Sequence, residues 1–157
     1  MIKDSGKRRE FASGAVRDID NNKGRCDLLP LDIVGEWFND PVLSAIGKYV
    51  YTGESKYIYG AIEIFSVKRW GGKATAMLEV AKHYEEGCNK YGARNWEKGI
   101  DLHCYIDSGV RHYLKHLRGA KDEPHDRAFI WNMLGALWTQ KHKPELIDIP
   151  FAKAVKE

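Results

Sequence analysis

Apolar residues recur at spacings of three and four through the second half of the chain. In 73–90 the series is Ala74, Met77, Leu78, Ala81, Tyr84 and Cys88. In 101–117 it is Leu102, Tyr105, Ile106, Val110, Tyr113, Leu114 and Leu117. In 122–141 it is Ile130, Met133, Leu134, Leu137 and Trp138. Each series predicts an amphipathic helix. Gly119 stops the second and Pro144 follows the third. Upstream the pattern is shorter. Pro30 suits the start of a helix over 31–38. Asp40-Pro41 reads as an N-cap and first turn, with Val42, Ala45, Ile46 and Tyr49 on one face of 41–50. Residues 54–67 fit a short helix, although their Tyr, Ile and Val content also allows a strand; Gly71-Gly72 ends them. Residues 1–27 are polar, glycine-containing and aperiodic, and read as an extended arm. The expectation is an all-α fold. It is a compact bundle of three long helices with shorter N-terminal helices and an arm, in one domain: arm 1–27, short helices 28–72, core helices 73–141 and a surface tail 142–157.

Composition narrows the class. Apolar residues make up 43% of the 157 positions, which supports a real core. The formal net charge is +3, from 25 basic and 22 acidic residues, too balanced for a chain that coats nucleic acid. The local basic runs Lys7-Arg8-Arg9, Lys68-Arg69 and Lys141-His142-Lys143 read as solvated surface charge. Cys26, Cys88 and Cys104 are odd in number and form no Cys-x-x-Cys pair, which argues against a zinc finger or a disulfide framework. The start carries no apolar signal region, and the run from Ala128 to Trp138 is too short to span a bilayer. A soluble cytoplasmic protein without membrane or stable nucleic-acid partners is expected.

Candidate chemistry concentrates in His83–Gly99, where a helix end runs into a loop of glycine, aromatic rings, cations and carboxylates. Glu85 falls beside the expected buried stripe. It is either a partnered acid at the core edge or a Mg²⁺ ligand, since a buried carboxylate needs compensation. Asp107 and Arg111 are i,i+4 neighbours, so they form an ordinary helix pair or bring a second acid toward Glu85. His125, Ala128, Asn132, Gly135 and Ala136 make a small or polar face on the third long helix: either an interhelical contact or one wall of a pocket. Asp126 sits near the helix start, where it also complements the helix dipole. Lys90, Arg94 and Lys98 are candidate phosphate contacts, and Tyr91 or Trp96 a stacking surface. The aromatics of 49–70 (Tyr49, Tyr51, Tyr57, Tyr59, Phe65, Trp70) suit either a subunit interface or the core. No P-loop, dinucleotide glycine fingerprint, nucleophile elbow or His-Glu-x-x-His is present.

Three blocks carry a resemblance. The first is Ser13-Gly14-Ala15-Val16-Arg17-Asp18 followed by Lys23-Gly24-Arg25-Cys26-Asp27-Leu28-Leu29-Pro30. The second is Tyr84-Glu85-x-Gly87-x-x-Lys90-Tyr91-Gly92-x-x-Asn95-Trp96-x-x-Gly99. The third is Asp107-x-x-x-Arg111-His112 with His125 and Trp131-Asn132. In this order they resemble the phage dATP/dGTP diphosphohydrolase N-terminal family, over about 13–37 and 73–139, with 38–72 outside. That family looks related to the MazG-like all-α nucleotide pyrophosphatases. The resemblance implies Mg²⁺- or Mn²⁺-dependent cleavage of a purine deoxynucleoside triphosphate to monophosphate and pyrophosphate. It also implies a phage source, nucleotide-pool control in the host cytoplasm, and a homo-oligomer. MazG-like sites gather four carboxylates on two helices; here the acids are fewer, so that either His125 or Asp126 supplements them or metal binding is weaker or absent.

The resulting expectation is specific. Glu85, Asp107 and Arg111 are the catalytic set, and Glu85, Glu86, Asp107 and Asp126 the metal set. Arg17, Lys23, Arg25 and Asp27 fold the arm over the nucleotide. Lys90, Arg94, Lys98 and Arg111 contact phosphates, Asn95 and Trp96 define the base pocket, and His112, His125 and Asn132 complete the binding surface. The rival is a phage protein that sequesters a nucleotide without hydrolysing it.

Overall fold

A computed structural model describes residues 6–18 and 22–152; residues 1–5 and 19–21 of the expected arm, and 153–157 of the expected tail, lie outside it. Among the described residues six α-helices follow one another: α1 Leu31–Phe38, α2 Pro41–Thr52, α3 Lys56–Trp70, α4 Lys73–Tyr91, α5 Leu102–Leu117 and α6 His125–His142. The fold is all-α apart from one small antiparallel pair, β1 Arg8–Glu10 and β2 Val16–Asp18. The arm is therefore a hairpin rather than a simple extension. Its turn closes through the Phe11 amide on the Ala15 carbonyl at 2.9 Å, and Ala15 is fully buried.

Helix boundaries follow local chemistry. Asp40 Oδ1 accepts from the amides of Val42 and Leu43 at 2.8 and 3.0 Å, capping α2, while its Oδ2 accepts from the Tyr113 hydroxyl at 2.6 Å. One carboxylate thus caps a helix and ties it to α5. Asn39, Gly53 and Gly71 end α1, α2 and α3 in the left-handed conformation. The 54–67 segment is a helix, not a strand, and it runs on to Trp70; at 15 residues it is a fourth long helix. Its inner face (Ile58, Ala61, Phe65) is buried, and Phe65 sits among Phe129, Tyr113, His116 and Trp70 with ring centroids 5.0–5.8 Å away. Of the aromatics in 49–70, Tyr49 and Phe65 are core, whereas Tyr51 and Tyr59 are exposed.

The pairing of α5 with α6 is the most extensive in the molecule. It is close because it runs over glycine: a Cβ at Gly135 would collide with the Tyr105 ring. The face of α6 expected to be small or polar is buried along its length (His125, Ala128, Asn132, Gly135, Ala136), and α6 is enclosed on most sides. Helix α4 differs from the expectation. Its buried residues are Ala76, Val80 and His83, while Met77 and Leu78 are exposed. The inward face is turned by one residue, about 100°, from the stripe of larger apolar residues. Glu85 consequently points outward and Glu86 is half-buried. The tail after α6 runs back across the surface: Phe151 meets the Tyr49 ring edge-on, and the Ala152 amide donates to the Tyr51 carbonyl at 2.7 Å.

Glycine substitutions test this geometry. A Cβ at Gly47 would stand 2.5 Å from the Asp32 backbone nitrogen, whereas one at Gly109 would meet chiefly the mobile methyl of Met133. Gly47→Ala is expected to lose about 1–3 kcal/mol in urea unfolding. Gly109→Ala should come out near neutral, because a helix-propensity gain of about 1 kcal/mol offsets the crowding. Equal losses at both sites would contradict the packing described.

Candidate functional site

The arm, α4, α5 and α6 enclose a cleft of about 460 Å³. Six cationic side chains line it: Arg9 and Arg17 from the hairpin, Lys23 from the segment after it, Lys90 from α4, and Arg111 and Lys115 from α5. Asp18 and Glu123 are the acids on its wall. Aromatic surface comes from His83, Tyr91, His112 and Trp131. A smaller basic depression continues it, sharing Lys23, Arg111 and Lys115 and adding Arg118.

The hairpin register supplies two of these cations. Arg9 and Arg17 are directly cross-strand, so their side chains share a face. The Arg17 guanidinium lies 5.6 Å from the centroids of both Tyr105 and Trp131, and its Nη2 donates to Asn132 Oδ1 at 3.2 Å. Asn132 in turn donates Nδ2–H to the Ala128 carbonyl at 2.8 Å. The hairpin is held from the other side by Asn95. Its Oδ1 accepts from the Val16 amide at 2.9 Å and its Nδ2 donates to the Val16 carbonyl at 2.8 Å, as a neighbouring strand would. Asn95 therefore positions β2 through both ends of its amide while lining the cleft. Ser13 Oγ donating to the Gly99 carbonyl closes a second tie to the same loop.

On α5, Asp107 is 3% exposed. Its Oδ1 accepts from the Cys26 amide at 2.7 Å and from Arg111 Nη2 at 2.6 Å, and the same Nη2 donates to the Gly24 carbonyl at 2.5 Å. This carboxylate is a tie between segments, and it turns Arg111 toward the cleft. Among the described residues, three buried polar atoms at the wall find no hydrogen-bond partner: Arg17 Nη1, Arg111 Nε and His83 Nδ1. Unmet donors of this kind around an acid-poor cleft suit an anionic ligand.

Electrostatics agree. Burial, then the neighbouring Arg111 and Lys115, pulls the Lys23 ammonium below its ordinary range, with Asp18 and Glu123 opposing. Burial pulls the His83 imidazole down to about 4. Burial and then the adjacent His125 push His112 well below the usual histidine range.

Several expected site residues lie elsewhere. Glu85 is exposed, and neither it nor Glu86 lines the cleft. Asp126 accepts from Arg69 Nε at 2.9 Å and from the Arg127 amide at 2.7 Å, on the wall of a different cleft of about 580 Å³. The expected acids thus do not converge. Among the described residues, three metal-ligating groups come within 4.8 Å of one another in two places, His112/Glu123/His125 and Asp101/His103/Asp148, and neither includes Glu85, Glu86, Asp107 or Asp126. The residues expected to hold Mg²⁺ do not fit a shared ion in this chain. Arg25 pairs bidentately with Asp27 at 2.8 and 2.7 Å outside the cleft. Arg94 is exposed and pairs with Glu97 at 2.7 Å. Lys98 is exposed, and Trp96 packs edge-on against Trp138 and Tyr84 at 5.1 and 6.0 Å. His125 is buried behind the wall, bonded to His112. The cleft does gather Arg17, Lys23, Lys90, Asn95, Arg111, His112 and Asn132.

Arg9, Lys115, His83 and Trp131 were not anticipated. Two carry a readable signal: Lys115 is four residues after Arg111 on the same helix face, and His83, Gly87 and Lys90 follow helical spacing. The signal for Arg9 is the strand pairing, which appears only once the hairpin is known.

Comparison with family models decides the relationship. The model described as dATP/dGTP diphosphohydrolase, N-terminal, matches residues 52–149, more than half of the chain. The chain belongs to this family. The family's name describes a nucleotide hydrolase, and so implies a nucleotide substrate. The match places α3 inside the family region, contrary to the expectation that 38–72 stands apart, and it does not include the 13–37 block. Comparisons with curated proteins and with solved structures returned no match. Among the described residues, no helix is long and apolar enough to cross a membrane.

The depressed His83 predicts acid sensitivity. The unfolded chain takes up a proton near pH 6.5, while the folded chain resists it to about 4. Stability contributed by the neutral ring is complete above pH 6.5 and falls as pH drops toward 4, by up to about 3 kcal/mol. Urea midpoints measured from pH 7.5 to 4 should decline, and His83→Gln should flatten part of that decline. An unchanged slope in the variant would rule out His83 as a source.

Proposed function

We propose that the basic cleft binds a purine nucleoside triphosphate and that the chain hydrolyses it to monophosphate and pyrophosphate. The observation that carries this reading is the convergence of six cations on one cleft with few acids, beside aromatic rings, in a chain of a family named for nucleotide hydrolysis. Arg111, Lys115 and Lys23 form one cationic group and Arg9, Arg17 and Lys90 another, enough to meet a charged polyphosphate chain at several points. Arg17 stays aimed by the Tyr105 and Trp131 rings and by Asn132. Tyr91 and Trp131 offer flat apolar surface for a base. The resemblance supplies the finer setting: purine deoxynucleotides, nucleotide-pool control in phage infection, and assembly as a homo-oligomer.

A second reading has a specific observation in its favour. Asp18 and Glu123 are the acids on the cleft wall, and Asp18 accepts from Arg8 at 3.0 Å and pairs with Lys90 at 3.5 Å. A cation-rich wall with engaged acids binds polyphosphate well and activates water poorly, which is the behaviour of a sequestering protein.

Chromatography of dATP and dGTP incubated with the protein and Mg²⁺ or Mn²⁺ separates the two. Monophosphate and pyrophosphate are the expected products. Intact nucleotide recovered after heat denaturation of a stable complex would establish sequestration instead, and no binding at all would sink both readings. Lys115→Ala and Lys23→Ala are each expected to weaken nucleotide binding by about tenfold, the loss of one charged contact, with unfolding midpoints unchanged.

A further inference from the structure

The loop between α5 and α6 ends in Glu123-Pro124-His125, and the His125 amide donates back to the Glu123 carbonyl at 2.9 Å. This tight turn sets the Glu123 carboxylate and the His125 ring side by side. His112 meets them from α5. One ligand atom from each of the three lies within 4.8 Å of the other two. The two imidazoles face each other through Nδ1, 2.9 Å apart. The far nitrogen of His125, Nε2, contacts Asp122 Oδ1 at 2.7 Å, and the His125 side chain is 1% exposed.

We infer that His112, Glu123 and His125 form a binding site for a divalent first-row transition ion. Three features of the cluster carry this. The donor set is two imidazole nitrogens and one carboxylate oxygen, which suits Mn²⁺, Co²⁺, Ni²⁺ or Zn²⁺ rather than the all-oxygen shells of Mg²⁺ and Ca²⁺. Asp122 behind His125 is the carboxylate that ligating histidines commonly contact; accepting Nε2–H, it leaves the Nδ1 lone pair of His125 aimed at the shared point. The spacing also fits. Two nitrogens bound at about 2.0–2.1 Å and 2.9 Å apart subtend about 90° at the ion, the angle of an octahedral shell with positions left open.

Without metal, one ring donates Nδ1–H to the other ring's Nδ1, and the pair is satisfied. Binding of the ion moves the His112 proton from Nδ1 to Nε2 of the same ring, so no proton is gained or lost by the chain. Glu123 lines both the basic cleft and the outer cleft, and His112 lines the basic one. An ion held here therefore stands at the edge of the basic cleft. Its nearness to phosphates rests on the nucleotide reading; the metal site itself does not.

The test uses full-length untagged protein, stripped with chelator, loaded with Co²⁺ in the absence of nucleotide, desalted and analysed for metal by mass spectrometry. One cobalt per chain is expected, with the weak visible absorption of an octahedral ion and with millimolar Mg²⁺ failing to displace it. Glu123→Gln and His125→Asn should each raise the Kd more than about tenfold. Asp148→Asn, in the second cluster, should leave binding intact. That cluster is already closed: the His103 amide donates to Asp148 Oδ1 at 2.9 Å and the ring pairs with Oδ2 at 2.5 Å. Should His125→Asn fail to fold by circular dichroism, Glu123→Gln decides, since Glu123 is only half-buried. Folded wild-type protein that retains no cobalt would overturn the proposal. So would loss of cobalt in Asp148→Asn with retention in Glu123→Gln. Cobalt retention without nucleotide hydrolysis upholds the site while removing the hydrolase reading, and hydrolysis without cobalt retention does the reverse.

Discussion

A carboxylate buried as deeply as Asp107 must be compensated, and the way it is compensated organises the cleft. Left alone, its charge would cost several kcal/mol of desolvation. It is instead met by a backbone amide at Cys26 and by the Arg111 guanidinium one helical turn away. The amide fixes the chain after the hairpin across the flank of α5, which brings Lys23 to the cleft. The ion pair holds the guanidinium in place, and its buried Nε meets no acceptor among the described residues. Asp107 therefore shapes the cleft through two neighbours. An Asp107→Asn change would keep the shape, halve the acceptor capacity and leave Arg111 without its counter-charge. It would disturb ligand contacts and the docking of residues 22–28 together.

The N-terminal hairpin depends on the same economy of polar groups. A three-residue strand pair is not stable alone in water. Here it is completed by Asn95, whose amide mimics a third strand at Val16, and by Arg17, which reaches between Tyr105 and Trp131 to Asn132. The Asn132 that seemed oddly polar for the interior of α6 is the acceptor that makes this possible. The loop following α4 is thus mainly a clasp for the arm. Gly99, where a Cβ would meet Leu146 and Ser13, lets the chain pass closely, and the charged residues Arg94 and Glu97 satisfy each other outside the cleft.

Helix positions were legible in the sequence because capping chemistry is local. Pro30, Asp40-Pro41, Gly53 and Gly71 mark boundaries through their own backbone preferences, and α1 and α2 begin where those residues place them. Helix orientation was less legible where a helix packs on one side only. On α4 the inward ridge is Ala76, Val80 and His83, small or polar residues that a reading weighted toward large apolar side chains passes over in favour of Met77 and Leu78. That rotation carried Glu85 outward and took the expected metal site with it. The cations of the cleft were found in part because Arg17, Lys23, Lys90 and Arg111 stand in distinctive local blocks. Arg9 becomes visible only through a tertiary pairing, and Trp131 enters the sequence reading only through the resemblance, not as the wall on which Arg17 rests.

The cleft is also a source of internal repulsion, and that bears on what it does. Lys23 is depressed by Arg111 and Lys115 as well as by burial, and the carboxylates near it, Asp18 and Glu123, only partly oppose them. A fold gains nothing by crowding cations unless something anionic relieves them. A polyphosphate would offset the repulsion at Lys23, supply acceptors to Arg17 Nη1 and Arg111 Nε, and stabilise the native chain by mass action. The relief comes from the charge of the ligand rather than from the identity of its base. Tyr91, His83 and Trp131 stand among these cations, with Arg17 5.6 Å from the Trp131 ring and Lys90 5.0 Å from the Tyr91 ring, and His83, held neutral by burial near pH 7, can act as a hydrogen-bond partner without adding charge. Charged and flat contacts thus interleave along one cleft, with the His112–Glu123–His125 cluster at its edge.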